Sequence, residues 1–360
     1  MAAPARLVEF EARLARQRSA LDVLTTTAAA VLDRLPSDVW CTVLLDPATL
    51  LDTGGHNDAG FPDSCLPRLF EIEHVEADDP GNLRDMHRRG ATTTLLSRSV
   101  SGDMEASKYY RDILRPQGLG DELRVALRDG PHVFGLLVLC RAQGAPAFSR
   151  AEEAAAHRLA RPATAALTRA LLLSGRDTGS LPDAAGLLKT GPDGEVRWAS
   201  ATASTWLDLL QDGSPAGARP LRAVAAAARA SGTARSRALT RSGHWVALQA
   251  WATDAEETVV SLSPPAADEL TPVILNAYGL SGREQQIAQL ALRGESNNAI
   301  AAILSVSVNT LNTHLQSIYG KTGLRDRKEL VSDVFYRHYV PRFGQGPLTT
   351  DGRRIPDEGE

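Results

Sequence analysis

LSGREQQIAQLALRGESNNAIAAILSVSVNTLNTHLQSIYGK, residues 280–321, is helical by every local sign it carries. Ser281-Gly282-Arg283-Glu284 is a capping box, in which a hydroxyl and a carboxylate each satisfy a backbone N–H at a helix start. Ile287, Leu290 and Ala291 follow as an inward stripe, and Gly294 stops the helix. Ser296 caps a short helix predicted over 297–304, with Ile300, Ala301 and Leu304 inward. Ser305-Val306-Ser307 is a turn, and Ser307 caps a longer helix over 308–321 whose Val308, Leu311, Leu315 and Ile318 share one face. A short helix, a tight turn and a longer helix make a helix-turn-helix. Arg325-Asp326-Arg327 leads into a fourth helix striped by Leu330, Val331, Val334 and Phe335.

The other face of the third helix carries Asn309, Asn312, Thr313 and Gln316. Asn and Gln amides can pair bidentately with adenine, and a Thr methyl can touch thymine. Ser307 and Thr310 offer hydroxyls, beside free backbone N–H groups, to a phosphate. Residues 279–345 hold eight Lys/Arg against five Asp/Glu, a net of +3, so the rest of this −4 chain carries −7. A positive module at one end of an acidic chain is what binding to double-stranded DNA requires.

The pattern resembles the LuxR-type helix-turn-helix of bacterial transcriptional regulators. It is carried by Leu280-Ser281-x-Arg283-Glu284, Gly294-x-Ser296-Asn297-x-x-Ile300-Ala301, Ser307-x-x-Thr310-Leu311-x-x-His314-Leu315-x-x-Ile318-Tyr319-x-Lys321 and Arg327-x-Glu329-Leu330-Val331. The resemblance implies base reading by Asn312, Thr313 and Gln316, backbone contact by Ser307, Thr310 and Lys321, and a dimer contact through Leu330, Val331 and Val334 on the fourth helix. Where that family usually has Lys, this chain has Asn312, so its affinity and salt dependence are expected to be lower than its relatives'.

Ahead of this module the reading is α+β. A long amphipathic helix is predicted over 5–35, then a strand over 39–45 with a partner over 50–53. Residues 57–103 read as irregular, with an acidic stretch at Glu71, Glu73, Glu76, Asp78 and Asp79, and the cluster His56, Asp58, Cys65, Glu71, Glu73 and His74 is expected to be a solvated loop rather than a metal site. Residues 121–128 and 133–140 form a hairpin, and Ser149-Arg150-Ala151-Glu152 opens a helix to about residue 173. Residues 1–175 resemble a GAF domain. After the polar linker 174–180, residues 181–265 resemble, more weakly, a PAS-like domain of strand-strand-helix-helix-strand-strand order. Trp198, Trp206, Trp245 and Trp251 are expected in its core, and Tyr109, Tyr110 and Arg111, just ahead of the hairpin, are candidates for the border of a cavity in the first domain.

The fold expectation is thus multidomain: GAF- and PAS-like sensor domains, an all-α four-helix module over 270–340, and a polar tail over 341–360. Three scattered cysteines (Cys41, Cys65, Cys140) form no disulfide framework or zinc motif. No apolar run is long enough for a membrane span, and the N-terminus does not read as a secretory signal. There is neither a G-x-S-x-G elbow nor a phosphate-binding loop. The expected protein is a cytoplasmic, homodimeric, non-enzymatic regulator that meets DNA and RNA polymerase. It needs no cofactor beyond an unidentified small-molecule ligand in the sensor region. The competing reading is a sensing or interaction module whose helical end dimerises without touching DNA.

Overall fold

The computed structural model describes residues 3–59, 61–76, 78–174, 181–182, 184–210, 219–240, 242–253 and 257–338, and the polar tail lies outside them. The long N-terminal helix expected from periodicity is divided into α1 (Ala3–Arg16) and α2 (Ala20–Leu32). Ser19 is the reason: its hydroxyl accepts from the Asp22 backbone N–H at 3.1 Å, so a new helix start competes with continuation. β1 (Val39–Leu45) pairs with β2 (Asp52–Ala59), which runs through Gly54 and Gly55 rather than stopping before them. A Cβ on Gly55 would lie 2.1 Å from the Thr42 carbonyl oxygen, so only glycine lets the strands close there.

The segment read as irregular is mostly helical. It contains α3 (Leu66–Phe70), a π-helical stretch at Glu71–Glu76, α4 (Leu83–Arg89), the short strand β3 (Thr93–Leu95) and α5 (Leu96–Ser99). The cluster expected in a solvated loop is not wholly solvated either, since Cys65 is buried. Glu73 and Asp79 are buried, Glu73 against Arg124 and Asp79 accepting from the Ser107 hydroxyl at 2.7 Å. The predicted hairpin is β4 (Leu119–Asp129) with β5 (His132–Ala142), and Ser149 and Glu152 form the capping box of α6 (Arg150–Leu173). These strands form an antiparallel sheet of order β2-β1-β5-β4-β3.

A second five-stranded sheet holds β6 (Gly186–Thr190), β7 (Val196–Ala199), β8 (Thr233–Leu239), β9 (Trp245–Ala252) and β10 (Thr258–Ser263), with α7 (Ala201–Leu210) and α8 (Arg219–Ser231) between β7 and β8. Its order, β7-β6-β10-β9-β8, repeats the first sheet's connectivity. β8 was not expected, because Arg235 and Arg237 interrupt its apolar alternation. Trp206 and Trp245 are buried as expected, but Trp198 is 52% exposed on the edge strand β7.

The two sheets belong to one compact unit spanning residues 1–174 and 184–264, rather than standing apart at the linker. A bidentate ion pair joins them: the Arg237 Nη2 and Nε atoms lie 2.7 and 2.8 Å from the two oxygens of Asp46, whose side chain is fully buried. Residues 265 onward belong to the second unit, which adds a helix not foreseen, α9 (Ala267–Ala277), to four that were: α10 (Gly282–Leu292), α11 (Asn297–Ile303), α12 (Val308–Thr322) and α13 (Arg327–His338). Among the described residues no helix is long and apolar enough to cross a membrane.

Candidate nucleic-acid interface

Serine caps set the geometry of the second unit. The Ser281, Ser296 and Ser307 hydroxyls accept from the Glu284, Ala299 and Thr310 backbone N–H groups at 3.4, 3.2 and 3.1 Å. The turn between α11 and α12 is closed by Ser305 in the left-handed region (φ 52°), a conformation non-glycine residues adopt only when the surroundings hold them there. Leu311, Leu315 and Ile318 of α12 are buried with Ile287, Ala291, Ile300 and Leu330 in one core. Val308, expected on the inward face, is instead 40% exposed, because it is the first residue of α12 and precedes the packed turns.

With Leu311, Leu315 and Ile318 fixed inward, the helical period turns Asn309, Asn312, Thr313 and Gln316 outward, and all four are exposed. The Thr313 hydroxyl donates to the Asn309 carbonyl at 3.1 Å. Ser307 and Thr310 are exposed at the start of the same helix, their hydroxyls 2.9 Å apart. The structure therefore gathers six of the candidate residues on one continuous outer strip.

The remaining candidates sit differently. Lys321 is not a free cation: its Nζ lies 2.7 Å from Glu284, a buried carboxylate at the start of α10. Leu330 is completely buried in its own domain's core, so its side chain is unavailable to a second chain. Val331 is half-buried and lines a shallow groove with Leu292, Arg327 and Lys328, while the side chain of Val334 lies outside the described residues.

Two arginines of this domain fasten helices together. Arg283 Nη2 donates to the Leu304 carbonyl at 2.6 Å, and Arg327 Nη2 to the Ala291 carbonyl at 3.0 Å. Arg325 pairs with Glu329. The side chains of Arg293 and Lys328 are exposed. The Arg283-Glu284 pair in the quoted motif was the available signal, but nothing local states which distant carbonyl an arginine will reach.

The family profile of GerE, bacterial regulatory proteins of the luxR family, matches residues 279–334. Residues 279–334 are a LuxR-type domain. An HTH-type transcriptional regulator in the exeN 3′ region of Aeromonas salmonicida is 30% identical over 103 residues, 27% of this chain and 52% of that protein. The monoamine regulon transcriptional regulator of Klebsiella aerogenes is 42% identical over 53 residues, 15% of this chain and 23% of that one. The chain thus spans about half the length of the first of these relatives and less of the second. The GAF domain/HD domain protein of Geobacter sulfurreducens aligns at 19% identity and a TM-score of 0.31, over 42% of this chain and 93% of that structure.

Proposed function

We propose that this chain is a sequence-specific, DNA-binding transcriptional regulator that works as a cytoplasmic homodimer and meets RNA polymerase at its promoters. The observation that carries the reading is the exposed, uncharged strip of Asn309, Asn312, Thr313 and Gln316 on the second helix of a LuxR-type helix-turn-helix. Those groups have the donors, acceptors and methyls that base edges match in the major groove. In a homodimer, two such helices would enter successive major grooves about one helical turn apart and read a near-palindrome. The half-buried Val331 on α13 is the pairing contact best placed by this reading, since Leu330 is spent on the domain core. The α+β unit acts as a regulatory module rather than an enzyme, favouring either a DNA-competent or a DNA-incompetent arrangement.

Binding-site selection on the full chain tests the base contacts. Asn312→Ala and Gln316→Ala should each relax preference at one operator position, by about 1–3 kcal/mol if the amide pairs bidentately. Unchanged selection in both variants would remove these side chains from the readout. The backbone contribution has its own measurement. With Lys321 held by Glu284 and a cation-free strip, the plot of log K against log salt should have a slope below about 5 in magnitude, the value roughly six neutralised phosphates would give. A steeper slope would place more cations on DNA than this domain offers.

A further inference from the structure

Beneath α3 and the π-helical stretch, the first sheet encloses a cavity with about 70 Å³ of free space. At roughly 10–15 Å³ per water-sized volume, that accommodates about five to seven non-hydrogen atoms. Its walls are apolar, with Val43, Leu45, Phe61, Leu69, Phe70 and Val138 among them. One wall comes from the other sheet's helical layer: Arg219, the first residue of α8, reaches the cavity although it is only 6% exposed. Among the described residues its Nε atom has no hydrogen-bond acceptor. A buried guanidinium with an unused donor is unfavourable unless something completes it.

The other polar groups facing the cavity are Asp52, Glu73, His74, Arg124 and Tyr109. Arg124 is paired with Glu73 and Glu122, and the Tyr109 hydroxyl donates to Glu122 at 2.6 Å. Asp52 Oδ1 accepts from the Gly54 N–H at 2.9 Å. His74 is stacked on Phe70, and burial lowers its pKa to about 4, so it is neutral at pH 7. Arg219 is therefore the cation here with a donor to spare. π-helical turns such as Glu71–Glu76, which supplies Glu73 and His74, occur often at functional sites.

We infer that this cavity is a binding site for a small aliphatic carboxylate, its tail among the apolar walls and its carboxylate on Arg219. Because Arg219 belongs to α8 and the walls to the first sheet, the ligand bridges the two sheet layers of this unit. The site stands apart from the DNA-binding reading, and its test does not use DNA.

The full chain is titrated with pentanoate and, as the neutral counterpart of equal size, pentanamide, following thermal unfolding and heat of binding. Pentanoate should raise the unfolding midpoint and pentanamide should bind about tenfold or more weakly, since only the anion forms the charge-assisted pair. Arg219→Met should abolish the pentanoate response while leaving the free protein at least as stable, because an incompletely paired buried cation is removed. Equal binding of the amide, no response to butanoate, pentanoate or hexanoate, or an unaltered response in Arg219→Met would overturn the assignment. A strongly destabilised Arg219→Met protein would also overturn it, by showing that Arg219 is already satisfied within the fold.

Discussion

Arg124→Met should destabilise the chain by about 3–5 kcal/mol, the usual cost of removing one partner from a buried ion pair. Arg124 is 5% exposed at its side chain, and its Nε and Nη1 atoms lie 2.5 and 2.6 Å from Glu122 and Glu73, themselves 2% and 10% exposed. Glu73 also accepts from the Leu83 backbone N–H at 3.3 Å, so the network ties β4 to the π-helical stretch and the start of α4. Burial alone would raise the Glu73 pKa, but Arg124 outweighs it and holds that carboxyl below its ordinary value. Burial dominates at Glu122 and pushes it up. Without Arg124 both carboxyls would titrate above their unfolded values, and a raised pKa gives stability that is lost as pH rises through it. The loss should therefore be greater at pH 8 than at pH 5 in urea unfolding, and Glu73→Gln added to Arg124→Met should recover part of it. A variant within about 1 kcal/mol of the parent at both pH values would contradict this account.

How far this was readable in advance follows sequence separation. The caps at Ser281, Ser296 and Ser307 and the burial of Leu311, Leu315 and Ile318 are local consequences of 3.6-residue periodicity, and they placed the outward strip correctly. The β4–β5 hairpin was equally legible, because its apolar runs flank a short turn, read at Asp129-Gly130 and formed by Gly130-Pro131. Glu73 and Arg124 are separated by 51 residues, and no local pattern distinguishes a carboxylate that will meet a buried arginine from one that stays in water. The same limit hid the Asp46–Arg237 pair, 191 residues apart, and with it the union of two apparent domains in one unit. Arg219 was concealed for a further reason: its helix begins with Arg-Pro-Leu-Arg, which reads as a solvated start.

The largest effect expected in the LuxR-type domain comes from Glu284, a residue whose role as a helix cap was legible but whose second role was not. One carboxylate oxygen accepts from the Ser317 hydroxyl at 2.6 Å, while the other accepts from the Ser281 N–H and from Lys321, each at 2.7 Å. A single buried side chain thus caps α10 and fastens α12 at two positions one turn apart. Burial would raise its pKa, but Lys321, Ser317 and Ser281 reverse that and bring it to about 2, against 4.5 for an ordinary Glu. A depressed carboxyl pKa contributes stability that is complete above the unfolded value and disappears as pH falls through the folded one, here from about 4.5 down to about 2. Because Lys321 is 40% exposed and solvent screens its charge, a shift of this size corresponds to at most roughly 3 kcal/mol. Glu284→Ala should cost about 1–3 kcal/mol at pH 7, and Glu284→Gln somewhat less, with the gap to the parent narrowing as the buffer approaches pH 2. The Gln variant also frees Lys321. If it still folds, its DNA complex should weaken while its salt slope steepens by about 0.9 for each lysine that reaches a phosphate. A stable Gln variant with the parent's slope would mean that Glu284 neither anchors α12 nor withholds Lys321 from DNA.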